Sequence, residues 1–411
     1  MNRDNDAGGG MTRHCASGSR ACTAVAGRRR RNAVECSGVV LAVLAGLAVA
    51  PALRADENPR LADTTARRIA IGDAGWLEFH LLLQGWFLGS LDDNEPYAHL
   101  GKTRSSFRLR RTEIKFSGQV VPEVSFALML DPAKVLEFGS RDIEVANQDP
   151  APTDASRPEK VSVLQPTSKV SALQDFVITF RAVPYANLSV GQAKTPISYE
   201  GFGSSAELLF VERSEVGRIF GDQRDLGVFV HYRFDRFAYH IGLYNGAGAN
   251  NLDTDAKKDL AIRLEVLPVE GLLVALSAQQ TLSASQAGTR TIAGGDIRFE
   301  RGPFLSQAEF YWSRSVSRDA PAKQPMGGYI ALAYTLGRLG GDWQVCGRFD
   351  WFDPDGKTAR DDFWRATGGV NFLLQGHRAK VQVNYTRTQP TVSSGTAASN
   401  HLVLVNTQVS F

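Results

Sequence analysis

The chain has 411 residues, 22% of them charged, with 46 basic against 43 acidic side chains and a formal net charge of +3. Residues 1–55 hold eight Lys/Arg and three Asp/Glu, which leaves 38 basic against 40 acidic residues beyond them, so bulk charge argues against a nucleic-acid partner. Cys15, Cys22 and Cys36 also fall in that first stretch; Cys346 then stands alone, which excludes a disulfide framework and a cysteine-based metal site.

The first element is a targeting segment over residues 1–55. Arg28–Arg31 form a basic run, Gly38–Ala52 is a short apolar run, and small residues offer cleavage after Ala52 or Ala55. The run is shorter than the ~20 residues of a membrane-crossing helix. Cys36 precedes it, which disfavours a lipid anchor. Residues 56–75 are expected to be a short polar periplasmic lead-in. No later segment approaches a spanning helix, so an exported chain of this kind is periplasmic, secreted or a barrel of the outer membrane, because only helices and closed barrels satisfy their backbone in lipid.

From residue 76 to 411 the sequence predicts sixteen strands, near 76–89, 105–119, 123–132, 174–182, 186–194, 225–234, 236–246, 258–268, 271–282, 290–301, 303–314, 327–336, 342–352, 362–374, 377–388 and 400–411. Most run about ten residues, the length of a tilted membrane strand. Val381, Val383 and Tyr385 alternate with Lys380, Gln382, Asn384 and Thr386; Trp343, Val345, Phe349 and Trp351 alternate with Gln344, Arg348 and Asp350. Soluble sandwiches alternate too, but here the connections alternate between short (such as VEG, QG and Gly302) and long, the pattern of outer-membrane barrels. Aromatic residues at strand ends suit interfacial girdles. The last strand closes on Phe411, which resembles the C-terminal signature read by the barrel-assembly machinery. The fold class expected is all-β, a transmembrane antiparallel barrel of about sixteen strands. The Pro-, Ser- and Asp-rich loop at 133–173 is expected to be extracellular and partly disordered. The loop at 195–224 is rich in glycine, aromatics and charge, and is expected to fold into the barrel and narrow it.

No HExxH, GxSxG or P-loop spacing occurs, so no catalytic residue, metal ligand or cofactor is expected. Asp353-Pro354-Asp355-Gly356 imitates the start of a calcium loop and reads as a turn. The charges opposite the apolar face are the informative residues: Arg111, Glu113, Lys115, Arg181, His231, Arg233, Arg263, Glu265, Asp296, Arg298, Glu300, Arg348, Asp350, Arg365 and Lys380. In a barrel they line a wet bore. Alternation changes phase between Phe107/Leu109 and Ile114/Phe116, which predicts a bulge at Arg110-Arg111 that turns both arginines inward. Adjacent guanidiniums need hydration or an anion.

The runs RLRRTEIKFSGQVVPEVSFALMLDPAK (108–134), LSVGQAKTPISYEGF (188–202), FVERSEVGRIFGDQRDLGV (210–228) and HIGLYNGAGANNLDTDAKKDLAIRLEV (240–266) resemble the phosphate-selective porin family of Gram-negative outer membranes. The resemblance implies a homotrimer of sixteen-stranded barrels in outer-membrane lipid, with the third long loop folded inward and small anions bound at a constriction. By motif, Arg110 and Arg111 match the family's paired arginine, Lys194 its GQxK lysine and Arg213 a loop arginine. Lys115, Arg233, Arg263, Arg298 and Arg348 are expected to add pore-lining positive charge. Glu200, Glu207, Glu212, Glu215 and Asp222 on the same loop work against a strong phosphate preference. The expected function is passive diffusion of small anions, phosphate or polyphosphate foremost. The alternatives are a general porin for small hydrophilic solutes and a non-channel barrel, adhesin or enzyme.

Overall fold

The computed structural model describes residues 68–90, 105–136, 138–145, 159–166, 172–254, 256–282, 288–316, 322–338, 341–391 and 400–411. The expected leader lies outside them, as do residues 56–67 of the lead-in and part of the 133–173 loop.

Sixteen antiparallel strands form one closed sheet: β1 Gly75–Ser90, β2 Ser105–Val121, β3 Val124–Leu130, β4 Leu173–Val183, β5 Ala186–Lys194, β6 Arg224–Arg233, β7 Phe237–Tyr244, β8 Lys258–Val269, β9 Leu272–Leu282, β10 Thr289–Arg301, β11 Phe304–Val316, β12 Met326–Arg338, β13 Asp342–Asp353, β14 Phe363–Leu373, β15 Ala379–Pro390 and β16 Asn400–Ser410. Each pairs with the next, and β16 pairs back onto β1 through Val403↔Gly89 to Ser410↔Leu82. Phe411 continues that seam by exchanging two backbone hydrogen bonds with Leu81 at 2.8 and 3.0 Å.

The residue pattern explains why the sheet closes with its apolar side out. On β8, Leu264 and Val266 are exposed while Asp259, Arg263 and Glu265 are buried; on β15, Val383 and Tyr385 are exposed while Lys380, Gln382, Asn384 and Thr386 are buried. A water-soluble protein does the reverse. Here the exposed apolar band faces lipid and the polar side chains face inward. The short turns use left-handed glycines where the chain reverses, Gly271 at φ 80° and Gly302 at φ 57°.

Two stretches carry strands that the sequence reading did not place. Ile69–Ile71, within the expected polar lead-in, is a short strand paired with Gly75–Leu77; its Ile-Ala-Ile alternation and the following GDAG turn form a hairpin with the start of β1. Within the 133–173 loop, Phe138–Val145 pairs antiparallel with Glu159–Pro166 as a separate two-stranded sheet.

The bulge expected on β2 is present. Gln84 pairs with Arg111 and Gly85 with Leu109, so Arg110 is the extra residue. Phe107 and Leu109 are thereby exposed on the lipid side, and Arg111 is buried on the other.

Candidate functional site

Residues 195–223 join β5 to β6 and form a folded segment. Its neck is closed by Thr195 N–H donating to the Gln223 carbonyl at 2.8 Å. Two single-turn helices follow, α1 Tyr199–Phe202 and α2 Glu215–Ile219, each started by a serine. Ser198 Oγ accepts from Gly201 N–H and Ser214 Oγ from Gly217 N–H, both at 3.0 Å. The two arms touch at glycine: a Cβ on Gly201 would lie 2.4 Å from Gly221 Cα. Ile197, Phe210, Val216 and Phe220 are fully buried and share a core with Ile292 (β10), Tyr311 (β11), Tyr329 and Ala331 (β12) and Phe352 (β13).

Polar contacts tie the same segment to the strands in two ways. Along 205–211, backbone groups meet side-chain amides. The Ser205 carbonyl accepts from Gln84 at 3.3 Å, Ala206 from Gln408 at 3.0 Å, and Leu209 from Asn371 and Gln382 at 2.9 and 3.0 Å. Val211 N–H donates to Asn384 Oδ1 at 2.7 Å, and Lys380 donates to the Leu208 carbonyl at 2.9 Å. The amides also bond one another in a row, Gln344–Asn371–Gln382–Asn406.

Elsewhere the contacts are ionic. Glu309 on β11 accepts from the N–H groups of Tyr199 (3.2 Å) and Glu200 (2.8 Å) at the start of α1. Arg348 binds Asp350 at 2.8 Å and the Glu212 carbonyl at 3.0 Å and lies 3.6 Å from Glu200. Arg365 binds Glu215 at 2.9 Å. Asp222 is ringed by Lys194 (3.1 Å), Arg213 (3.2 Å) and Arg224 (3.7 Å).

These surroundings move the carboxyl groups in opposite directions. Burial pushes Asp222 up, but Arg213, Lys194 and Arg224 outweigh it and hold it well below the usual range. Glu215 is lowered likewise, with Arg365 and Arg218 outweighing burial. Glu200 is raised, because burial outweighs Arg348 and the hydrogen bonds from Ser214.

The residues singled out by sequence fall into two groups. Arg110, Arg111, Lys194 and Arg213 all lie against this segment or beside it. Arg110 is 3.6 Å from Glu212 and over the Trp86 ring at 5.2 Å; Arg111 donates to Gln84 at 2.8 Å; Lys194 donates to the Gly201 and Gly203 carbonyls at 2.8 and 2.7 Å; Arg213 donates to the Glu200 carbonyl at 2.9 Å. Arg348 joins them from the far wall. Arg233 and Arg263 lie apart on β6 and β8, each with a carboxylate, Arg233 with Glu265 and Arg263 with Asp296 at 2.7 Å, while Arg298 on β10 binds Glu300 at 2.7 Å and reaches the segment by donating to the Tyr199 hydroxyl at 2.6 Å. Lys115 is exposed opposite His80 on β1. Sequence reasoning missed Arg224 and the amide row. The alternating Gln382 and Asn384 carried a signal for the row, but amides at alternate positions do not announce what they will bond. Among the described residues, no group of three or more His, Cys, Asp or Glu is placed to hold a metal.

The family model for phosphate-selective porin O and P matches residues 85–291, just over half of the chain. The chain belongs to that family. The match makes the protein an outer-membrane channel of Gram-negative type, and not an enzyme. No match was found among curated protein sequences. Among solved structures, the porin is similar in fold to an anion-selective porin from Comamonas acidovorans (TM-score 0.55, 10% identity, 82% of this chain and 100% of that one). It is likewise similar to Salmonella typhi OmpF in complex with daunomycin (TM-score 0.53, 8% identity, 84% and 100%), and to OmpT of Vibrio cholerae in trimer form (TM-score 0.51, 11% identity, 82% and 100%).

Proposed function

We propose that the porin conducts small anions passively, with residues 195–223 lying in the lumen and narrowing it, and with phosphate or polyphosphate among its solutes. The observation that carries this reading is the bulge on β2. It turns both Arg110 and Arg111 away from lipid and sets them beside the folded segment, where Arg110 meets Glu212 and Arg111 meets Gln84. A guanidinium at a narrow, partly desolvated point attracts anions far more strongly than the same charge in bulk water, and its planar fork fits phosphate oxygens. Binding must stay weak enough for release, and Glu212 beside Arg110 tempers it. By analogy with the trimer form of the Vibrio cholerae protein, the working unit is taken to be a homotrimer.

A general porin is the second reading, and one observation favours it. Arg233, Arg263, Arg298 and Arg348 each carry a carboxylate partner, so their fields largely cancel at a distance. The two readings separate in a planar bilayer. An anion channel gives a reversal potential displaced toward that of chloride in a potassium chloride gradient, and Arg110→Ala with Arg111→Ala moves it toward zero. A reversal potential near zero in the unaltered protein establishes the general porin; an unchanged one in the double variant removes these arginines from selectivity.

A further inference from the structure

A row of rings runs from the folded segment along the inward side of β6 and β7. Phe202, at the end of α1, meets His240 of β7 edge-on with centroids 5.1 Å apart. His240 stacks on His231 of β6 at 5.0 Å with the planes 8° apart, and the two face each other across the ladder. His231 lies 5.9 Å from Phe229, and Phe229 stacks on Tyr244 at 6.0 Å. The last two are buried and form the footing. Tyr244 lies flat over Gly227 and Gly242, where an added Cβ would come within 2.7 and 2.6 Å of its ring. Phe202, His231 and His240 are only half-buried, which leaves ring surface open to the lumen.

Guanidiniums flank this ledge. Tyr199 sits one helical turn before Phe202, on the same side of α1. Its hydroxyl accepts from Arg298 Nη1 at 2.6 Å, and the Arg298 guanidinium lies over its ring at 5.3 Å. The Arg233 side chain is 57% exposed beside Glu265. The Arg233 and Arg298 guanidiniums stand at the ledge beside Glu265 and Glu300, Arg263 is taken up by Asp296 and Glu265, and Glu309 is held by the Tyr199 N–H at 3.2 Å, so Arg233 and Arg298 are the cations a solute would meet.

We infer that this ledge is a subsite for small aromatic carboxylates of the benzoate type, the ring stacking on Phe202 and the two imidazoles and the carboxylate taken by Arg298 or Arg233. Stacking supplies what a bare inorganic anion cannot use, and a guanidinium fork matches a carboxylate in two hydrogen bonds. The inference rests on the anion-channel reading but fails separately from it.

The test is chloride current through the purified porin in a planar bilayer, with potassium benzoate or potassium acetate added to the short-turn side. Acetate presents the same charge without a ring. Benzoate is expected to half-block at about a tenfold lower concentration than acetate, the scale of one good aromatic pair. Phe202→Ala and His240→Ala should each bring that ratio close to one, and so should Phe202→Leu, which keeps apolar volume without a π face. Equal block by benzoate and acetate in the unaltered protein overturns the subsite, and so does a ratio that none of the three substitutions changes. The reversal potential measured in the same bilayers reads the anion preference independently. A displaced potential with equal block leaves the channel reading standing without the ledge. A preferential benzoate block that the ring substitutions abolish supports the ledge even where that potential lies near zero.

Discussion

The two parts of the 195–223 segment are fastened to the wall by different chemistry. Residues 205–211 hang on amide side chains of β1, β14, β15 and β16, with Lys380 the one cation in the set. The arms around α1 and α2 hang on Arg348, Arg365 and the Lys194–Arg213–Arg224 ring about Asp222. Amide hydrogen bonds do not titrate and hardly respond to salt. Buried ion pairs are stronger when complete, yet leave a stranded charge when one partner goes. A channel exposed to changing outside conditions gains from holding the middle of this segment with neutral groups. The ionic arms then fix where charged side chains stand.

Removing the most connected ionic anchor should have the largest effect. Arg348→Ala leaves Asp350 and Glu200 buried without their cation and frees the Glu212 and Arg213 carbonyls. Breaking a buried pair from one side costs about 3–5 kcal/mol. The expected result is a lower unfolding midpoint in denaturant and a noisier open-channel current. An unchanged midpoint would mean that the carboxylates find water in the bore. A neutral anchor should matter less: Asn384→Leu removes Asn384 Oδ1, which accepts from the Val211 N–H at 2.7 Å. That costs about 1–3 kcal/mol, less than the Arg348→Ala loss, and because both sites are buried and little screened, neither loss should change much between low and high salt.

The contrast also marks what could be read from the amino-acid order. All sixteen barrel strands were legible, because alternation such as Leu264–Glu265–Val266 is imposed by lipid on one side and water on the other. The bulge was legible from the phase change at Arg110, since a strand cannot turn Leu109 and Ile114 to the same side without an extra residue. The third long loop announced itself through length and composition. Its fastenings did not. Lys194 and Arg213 were legible by motif, but not their contacts with backbone carbonyls and Asp222. Charge type and position are local properties: helical spacing reaches the Arg218 partner of Glu215 three residues on, but its other partner, Arg365, is 150 residues away, and no spacing rule reaches that far. The Ile69–Ile71 strand was missed because three residues are too few to show a period.

Acidity should separate the two fastenings most finely. Asp222 and Glu215 have lowered pKa values, so each stabilises the folded arms above the ordinary carboxylate range and loses that contribution only as pH falls through its depressed value. Glu200 has a raised value, and the sign reverses: it is tolerated best when protonated, and its contribution declines as pH rises from about 4.5, the ordinary glutamate value, through its own higher one. Open-channel noise should therefore be least in mildly acidic solution, rise slightly toward neutral pH through Glu200, and rise again in strong acid through Asp222 and Glu215. Glu200→Gln should flatten the neutral side alone, and Asp222→Asn should remove the plateau that precedes the acid rise. Noise that follows one monotonic curve in all three proteins would show that these carboxylates do not hold the arms. The amide row would then be carrying the whole segment, since nothing in it but Lys380 and its neighbour His377 can titrate.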